Sequence, residues 1–228
     1  MAGLQTIIDN CNGLLIDRRK VVGIQYTRNE IPRVSGTPTK NPWKFRLDMP
    51  NSFTYNDGRD LMEALDTLDR ITPEVITFSN NAKLNWIFRY RGTMSSVSIS
   101  ALTVTSFIGD QLVIGNLPVL PSTRVLFEPN DLIQIGSKYY PFTSTTRILR
   151  GIGSTVTVTT NRPNIITTSV TGLGLTVGNA CKFTMFCPNM PVYKLLPGGY
   201  QYTGSTILGN ATLEFSDSFE FSEFVGTA

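Results

Sequence analysis

The chain has 228 residues, of which 41% are hydrophobic and only 16% are charged, and its formal net charge is +3. That length allows one large β domain or two small ones with a substantial buried core. The sequence contains no histidine, which excludes a Ser-His-Asp triad and a Cys-His pair and removes the commonest zinc and iron ligand.

The three cysteines, Cys11, Cys181 and Cys187, are too few and too scattered for a disulfide framework or a four-thiolate metal site. We therefore predict small buried thiols in a reducing compartment. The chain has no run of about eighteen apolar residues, so no membrane span is expected. The start, MAGLQTIIDNCNG, has neither a basic region nor a long apolar block, and we expect no signal peptide.

Two segments near the N-terminus alternate polar and apolar residues, as strands with one buried face do. They are KVVGIQYTR at 20–28 and PWKFRLDM at 42–49, and the second predicts a buried row at Trp43, Phe45, Leu47 and Met49. One buried face on each strand indicates an antiparallel sheet. The segment between them, 29–41, is too long for a tight turn and is predicted to be either disordered or a contact arm.

One helix is predicted over 57–71, with Leu61, Leu65 and Leu68 on one stripe and Asp57 as the N-cap. It should pack on the sheet, with acidic side chains on its outer surface. EVITFSN, at 74–80, and KLNWIFRYRG, at 83–92, are then predicted to restart the β pattern.

After Ser95 the composition changes to Ser, Thr, Val, Ile and Gly, and short predicted strands follow each other at hairpin spacing. We predict a small β-barrel over 96–189, inserted into a discontinuous main domain formed by 1–95 and 190–228. The final segment returns to alternating strands. Its predicted core residues are Leu213, Phe215, Phe219, Phe221 and Phe224.

Basic and acidic residues concentrate at opposite ends of the chain. Residues 1–60 hold nine Lys and Arg against six Asp and Glu, whereas the residues from Ser205 onward hold four acids and no base. The stretch RRKVVGIQYTRNEIPR places its bases at the two ends of a strand and loop, which favours salt bridges to a neighbouring subunit over one continuous groove. The predicted subunit-contact residues are Arg18, Arg19, Lys20, Arg28, Glu30, Arg33, Lys40, Glu214, Asp217 and Glu220.

Nothing in the sequence singles out a catalytic residue, a metal ligand or a cofactor site, and we predict a protein that is not an enzyme. The glycines of GLGLTVGNA are not followed by an apolar helix and do not match a dinucleotide fingerprint. A less favoured alternative is a single-stranded nucleic-acid-binding barrel, in which Tyr139, Tyr140 and Phe142 would be stacking platforms.

The chain resembles tail-tube-related proteins of contractile-tailed bacteriophages, of the distal or initiator type that joins the tube to the baseplate. The resemblance covers most of the chain. The stretches that carry it are RRKVVGIQYTRNEIPR, NPWKFRLDMPN, RDLMEALDTLDR, DLIQIGSKYYPFTSTTRILRG, STVTVTTNRP, CPNMPVYKLLPGG and ATLEFSDSFEFSEFV.

The resemblance implies a mainly β fold, with a tail-tube-like β-sandwich or split barrel, one flanking helix at 57–71 and the inserted barrel. It also implies that 20–28 and 42–49 form one hairpin and that 29–41 is an axial docking arm. Six copies would close into a ring around a channel that viral DNA passes through.

The implied partners are further copies of the chain, as neighbours in a hexameric ring, and tail tube and baseplate proteins. No membrane partner is expected. The implied location is the virion, after assembly in the host cytoplasm. Because a plain tube subunit lacks the insert, we expect one specialised ring, with the basic clusters facing neighbours and not the lumen. A peripheral virion adaptor, such as a neck or fibre-connecting protein, is the alternative.

Overall fold

The computed structural model describes residues 3–18, 22–26, 32–36, 42–49, 53–68, 72–189, 193–196, 200–203, 206–209, 212–215 and 219–224. The helices in these ranges are α1 (Gly3–Asp9), α2 (Tyr55–Asp66) and α3 (Ser96–Ser100), with a 3-10 turn at Gly178–Ala180. The strands are β1 (Gly13–Asp17), β2 (Val22–Tyr26), β3 (Pro32–Gly36), β4 (Lys44–Asp48), β5 (Phe53–Thr54), β6 (Glu74–Thr77), β7 (Thr103–Ile108), β8 (Gln111–Gly115), β9 (Val125–Phe127), β10 (Leu132–Ile135), β11 (Lys138–Thr143), β12 (Ile148–Leu149), β13 (Val156–Thr159), β14 (Leu175–Val177), β15 (Lys182–Asn189), β16 (Tyr193–Leu196), β17 (Tyr200–Thr203), β18 (Thr206–Gly209), β19 (Thr212–Phe215) and β20 (Phe219–Glu223).

The mainly β fold predicted from the sequence is confirmed. The strands form several antiparallel sheets, the largest with the order β1-β4-β20-β15-β6. Within 96–189, strands β7 to β14 form separate two- and three-stranded sheets, while β15 belongs to the largest sheet, and the described part of the chain contains no closed barrel.

The alternation of β4 builds the core of the large sheet. Trp43, Phe45 and Leu47 are buried, and Lys44 and Arg46 between them are exposed, as predicted. Because successive side chains point to opposite faces, one face of β4 is entirely apolar. The buried cluster on that face also includes Leu4, Ile7 and Ile8 of α1 and Leu61 and Leu65 of α2.

The C-terminal strand β20 lies beside β4, and Glu220 is the register partner of Arg46. Phe221 is buried, but the prediction that Phe224 is a core residue is wrong, since its side chain is 41% exposed. Phe221 and Glu223 share the buried face of β20, and the strand's period of two places Phe224 on the other face.

The predicted hairpin of 20–28 with 42–49 is also wrong. β2 pairs with β3, with Val22 opposite Gly36 and Tyr26 opposite Pro32, while β4 pairs with β1 and β20. Part of the predicted docking arm is therefore the return strand of a local hairpin. Alternation identifies a strand but not its partner, which is why the sequence did not distinguish the two pairings.

Three boundaries differ from the prediction. α2 begins at Tyr55 and ends at Asp66, whereas the sequence predicted a helix over 57–71. The predicted strand at 83–92 is a series of turns over most of its length, and Ser96–Ser100 is a short helix capped by the Ser95 side chain, which accepts from the Ser98 N–H at 3.2 Å. In both segments the backbone-to-backbone hydrogen bonds join residues three or four apart.

The buried apolar residues form two clusters. The first includes α1, α2 and the large sheet, and the second lies among residues 94–177, with Ile99 of α3 packed against it. β15, which ends the predicted insert, pairs with β6 and β20 in the large sheet. The division into a main domain and an insert at 96–189 stays a prediction. The three cysteines are buried and free, as predicted.

Candidate assembly interface

Six of the ten predicted contact residues lie outside the described residues: Arg19, Lys20, Arg28, Glu30, Lys40 and Asp217. Arg33 is in β3, opposite Gln25. Glu214 is half-buried in β19, opposite Lys194, and Glu220 is exposed on β20. Glu214 and Glu220 therefore belong to different sheets.

Arg18 makes contacts within its own chain. Its Nη2 donates to Asn130 Oδ1 at 3.2 Å, and its guanidinium lies 5.4 Å from the centre of the Trp43 ring. Partial burial lowers the pKa of Arg18. The side chain thus connects the end of β1 to the loop before β10, a contact that the sequence did not predict.

β1 is the outer strand on one side of the large sheet in the described part of the chain. Leu14 and Ile16 pack towards the first cluster, while Leu15 is 59% exposed on the opposite face. An open cleft of about 520 Å³ runs beside the strand, lined by Leu15, Ile16, Asp17 and Arg18. The outer backbone groups of such a strand can pair with a strand from another chain.

The opposite edge, β6, is closed by the first helix. Gln5 Nε2 donates to the Thr77 carbonyl and Gln5 Oε1 accepts from the Thr77 N–H, both at 2.9 Å. The Glu74 carboxylate also accepts from the Leu4 N–H at 3.2 Å. The amide of Gln5 thereby makes the two bonds that a neighbouring strand would make at Thr77. The two edges of the sheet are chemically different.

A buried ion pair connects β20 to the residues after β13. Arg162 Nη1 lies 2.5 Å from Glu223 Oε2, and Arg162 Nη2 lies 2.8 Å from Glu223 Oε1. Nη2 also donates to the Pro141 carbonyl at 2.7 Å, and Glu223 Oε2 accepts from the Trp43 N–H at 3.1 Å. Both side chains have 1% exposure or less.

The sequence contained a partial signal for this pair. Glu223 has the same parity in β20 as the buried Phe221, so its carboxylate points into the core and requires a buried cation. The identity of that cation is not visible locally, because Arg162 is 61 residues away along the chain. The Arg162 guanidinium also lies 5.0 Å from the centre of the Trp43 ring and 5.2 Å from the centre of the Phe142 ring. These contacts indicate a structural role, in which the pair joins β20 to the residues after β13.

Among the described residues, no three His, Cys, Asp or Glu side chains come together as metal ligands would. None of the helices in the described ranges is long and apolar enough to cross a membrane. No protein-family model matches the sequence, and no curated protein is significantly similar to it.

Proposed function

We propose that the protein is a structural virion component that forms a ring between the tail tube and the baseplate of a contractile-tailed phage. The observation that carries this proposal is the asymmetry of the large sheet. Among the described residues β1 is an outer strand and carries the exposed Leu15, whereas the β6 edge is occupied by Gln5.

An asymmetric sheet favours a heterologous contact, in which the β1 edge of one copy meets a different surface of the next. Contacts of this type generate a ring when the rotation closes. Pairing along β1 would also satisfy backbone groups that an open edge leaves exposed to water. The resemblance to tail-tube-related proteins supplies the six-fold ring and the tail location.

The peripheral adaptor uses the same β-rich chain without closing a ring. The nucleic-acid-binding alternative is less favoured by the side chains of its proposed platform. Phe142 is completely buried, and Lys182 lies 5.8 Å from the centre of the Tyr139 ring. A base could not stack on Phe142 without opening the second cluster.

The test is native mass spectrometry of the purified chain, followed by negative-stain imaging of the species found. We expect a closed ring with a central hole. The discriminating variant is Leu15→Lys, because a charge on an edge strand opposes strand addition. Val75→Lys is the matched control, since Val75 is 41% exposed on the closed edge β6.

Under the ring proposal, Leu15→Lys lowers the ring fraction and Val75→Lys does not. Loss of rings with Val75→Lys alone would move the contact to β6. A wild-type chain that stays monomeric and is seen only at the virion periphery would replace the ring with the adaptor. Salt-sensitive binding of a labelled oligonucleotide, with no self-association, would instead favour nucleic-acid binding.

A further inference from the structure

An exposed tryptophan lies in the turns that follow β6. Trp86 is 63% exposed, and Lys83 and Arg89, three residues before and after it, are exposed as well. We call these three residues the Trp86 ridge. The N–H of Ile87 donates to the Leu84 carbonyl at 3.0 Å and that of Arg89 to the Trp86 carbonyl at 3.2 Å. Such three-residue turns place side chains at i and i+3 on the same side.

Buried side chains and hydrogen bonds fix the backbone of the ridge. Leu84 and Phe88 are buried in the first cluster. The side chain of Asn81 is 2% exposed; its Nδ2 donates to the Ile8 carbonyl at 2.7 Å and to the Cys11 carbonyl at 3.1 Å, and its Oδ1 accepts from the Lys83 and Leu84 N–H groups. A ridge fixed before binding loses little conformational entropy when a partner covers it.

The ridge carries uncompensated positive charge. The sequence from Ala82 to Gly109 contains Lys83, Arg89 and Arg91 and no acid. Within the described part of the chain, Lys83 donates to Asn12 Oδ1, and neither Lys83 nor Arg89 forms an ion pair. Trp and Arg are the residues that most often dominate the energetics of protein interfaces.

The same chain has a surface of opposite charge. Along its outer side α2 exposes three acids spaced three residues apart, Asp60, Glu63 and Asp66, and one base, Arg59, so that three negative charges outnumber one positive charge. We call the three acids the acidic face of α2. At about 2 Å per residue in three-residue turns, Lys83 and Arg89 are about 12 Å apart along the ridge, and at about 1.5 Å per residue in an α-helix, Asp60 and Asp66 are about 9 Å apart along α2.

We propose that the Trp86 ridge of one copy docks on the acidic face of α2 in a second copy. This contact would be an interface between neighbouring copies in the proposed ring. It rests on the proposed function, because it requires that copies of the chain associate. Lys83 and Arg89 would pair with carboxylates, while Trp86 would cover the aliphatic part of the helix surface between them. Nucleic acid is less favoured, because the ridge has one aromatic ring and the whole chain carries a net charge of only +3.

The two tryptophans allow the contact to be followed directly, because Trp43 is fully buried and Trp86 is the exposed one. As the protein concentration rises, acrylamide quenching of the emission should fall and the emission should shift to shorter wavelengths. Trp86→Ala should raise the apparent dissociation constant of self-association by about tenfold or more, as truncation of an interface tryptophan commonly does. High salt should weaken the association as well.

Exchange of charges between the two surfaces provides the decisive test. One variant carries Lys83→Glu and Arg89→Glu, and the other carries Asp60→Lys and Glu63→Lys. Each alone should lose self-association, because like charges then face each other. An equimolar mixture should recover it, since each surface again meets its opposite. All four side chains are exposed, and circular dichroism checks that both variants stay folded.

If each variant still self-associated without the other, the ridge contact would be overturned, and the β1 edge would remain as the proposed contact of the ring. If each variant lost self-association and the equimolar mixture did not recover it, the pairing of the Trp86 ridge with the acidic face of α2 would be overturned. A change in Trp86 emission on adding oligothymidylate, but not on raising the protein concentration, would assign the ridge to nucleic acid instead. Recovery on mixing into open assemblies, without closed rings, would support the contact and reject the ring.

Discussion

Arg162 and Glu223 form an ion pair in a region where each side chain has lost nearly all contact with water. Removing one partner leaves the other buried without compensation, whereas removing both does not. We expect Arg162→Met to lower the free energy of unfolding by about 3–5 kcal/mol. Arg162→Met combined with Glu223→Leu should lower it by less than either single change, as measured by urea unfolding.

The more exposed pair of Arg147 and Glu128 provides the control. It has a similar geometry, with Arg147 Nη2 2.9 Å from Glu128 Oε1, but the arginine side chain is 64% exposed. Arg147→Met should leave the unfolding midpoint unchanged, because water screens such a pair. If the two arginine variants were equally destabilised, burial would not be the cause of the larger effect.

Tyr90 makes stability depend on pH at the alkaline end. Its hydroxyl donates to the Leu126 carbonyl, and burial raises the pKa of Tyr90 to about 12. In the unfolded chain its pKa is about 10, so between these values the folded state holds a proton that the unfolded state has lost. The contribution of Tyr90 is complete below pH about 10 and is lost as the pH rises through about 12.

Comparison of the wild type with Tyr90→Phe isolates this contribution from the other groups that titrate in the same range. The free energy of unfolding, measured by urea titration at a series of pH values, should fall more steeply with pH in the wild type. Parallel curves for the two proteins would mean that Tyr90 ionises equally easily in both states.

At the scale of single elements, Gln5 should determine whether β6 behaves as an open edge. Gln5→Ala removes the two bonds to Thr77, and at about 0.5–1.5 kcal/mol for each bond the loss should be about 1–3 kcal/mol. Hydrogen exchange of the Thr77 amide should accelerate as well. Gln111→Ala is the control, because Gln111 is exposed and its Nε2 donates to side chains, those of Asp110 and Thr159, and not to a backbone edge.

An unchanged exchange rate at Thr77 in Gln5→Ala would mean that another group protects the edge. Increased self-association of this variant would be a separate consequence of opening β6, because exposed edge strands pair between molecules. Gln111→Ala should show neither effect.

The accuracy of the sequence predictions follows the range of the interactions. Alternation predicted the buried Trp43, Phe45 and Leu47 correctly, because it depends only on neighbours along one strand. It did not identify β3 as the partner of β2, or Arg162 as the partner of Glu223, since both depend on residues brought together by the fold. The predicted strand at 83–92 was also wrong. Its backbone forms hydrogen bonds between residues three apart, which produce turns in place of a strand.

The candidate interface was less predictable than the core for the same reason. Arg18 stays a predicted subunit contact, but its bond to Asn130 and its stacking on Trp43 within the chain were not predicted. The exposed edge at β1 depends on strand order, and the closed edge at β6 depends on one glutamine from a helix. Neither property is encoded in a local pattern.

At the scale of the whole molecule, the two buried clusters are joined by several specific bonds. Besides the Arg162–Glu223 pair, Gln134 Oε1 accepts from the Lys182 N–H at 2.6 Å and Arg18 bonds to Asn130. Leu132, from β10, is buried in the first cluster. Contacts of this kind couple the unfolding of two regions that each have a core of their own.

We therefore expect the wild-type chain to unfold in one calorimetric transition, although the sequence suggests a main domain and an insert. Arg162→Met should separate this transition into two, because it removes the joint while leaving both apolar clusters intact. Combining Arg162→Met with Glu223→Leu should restore a single transition, since an apolar contact replaces the unpaired carboxylate. Two transitions in the wild type would mean that the clusters fold independently and that the ion pair is a minor contact between them.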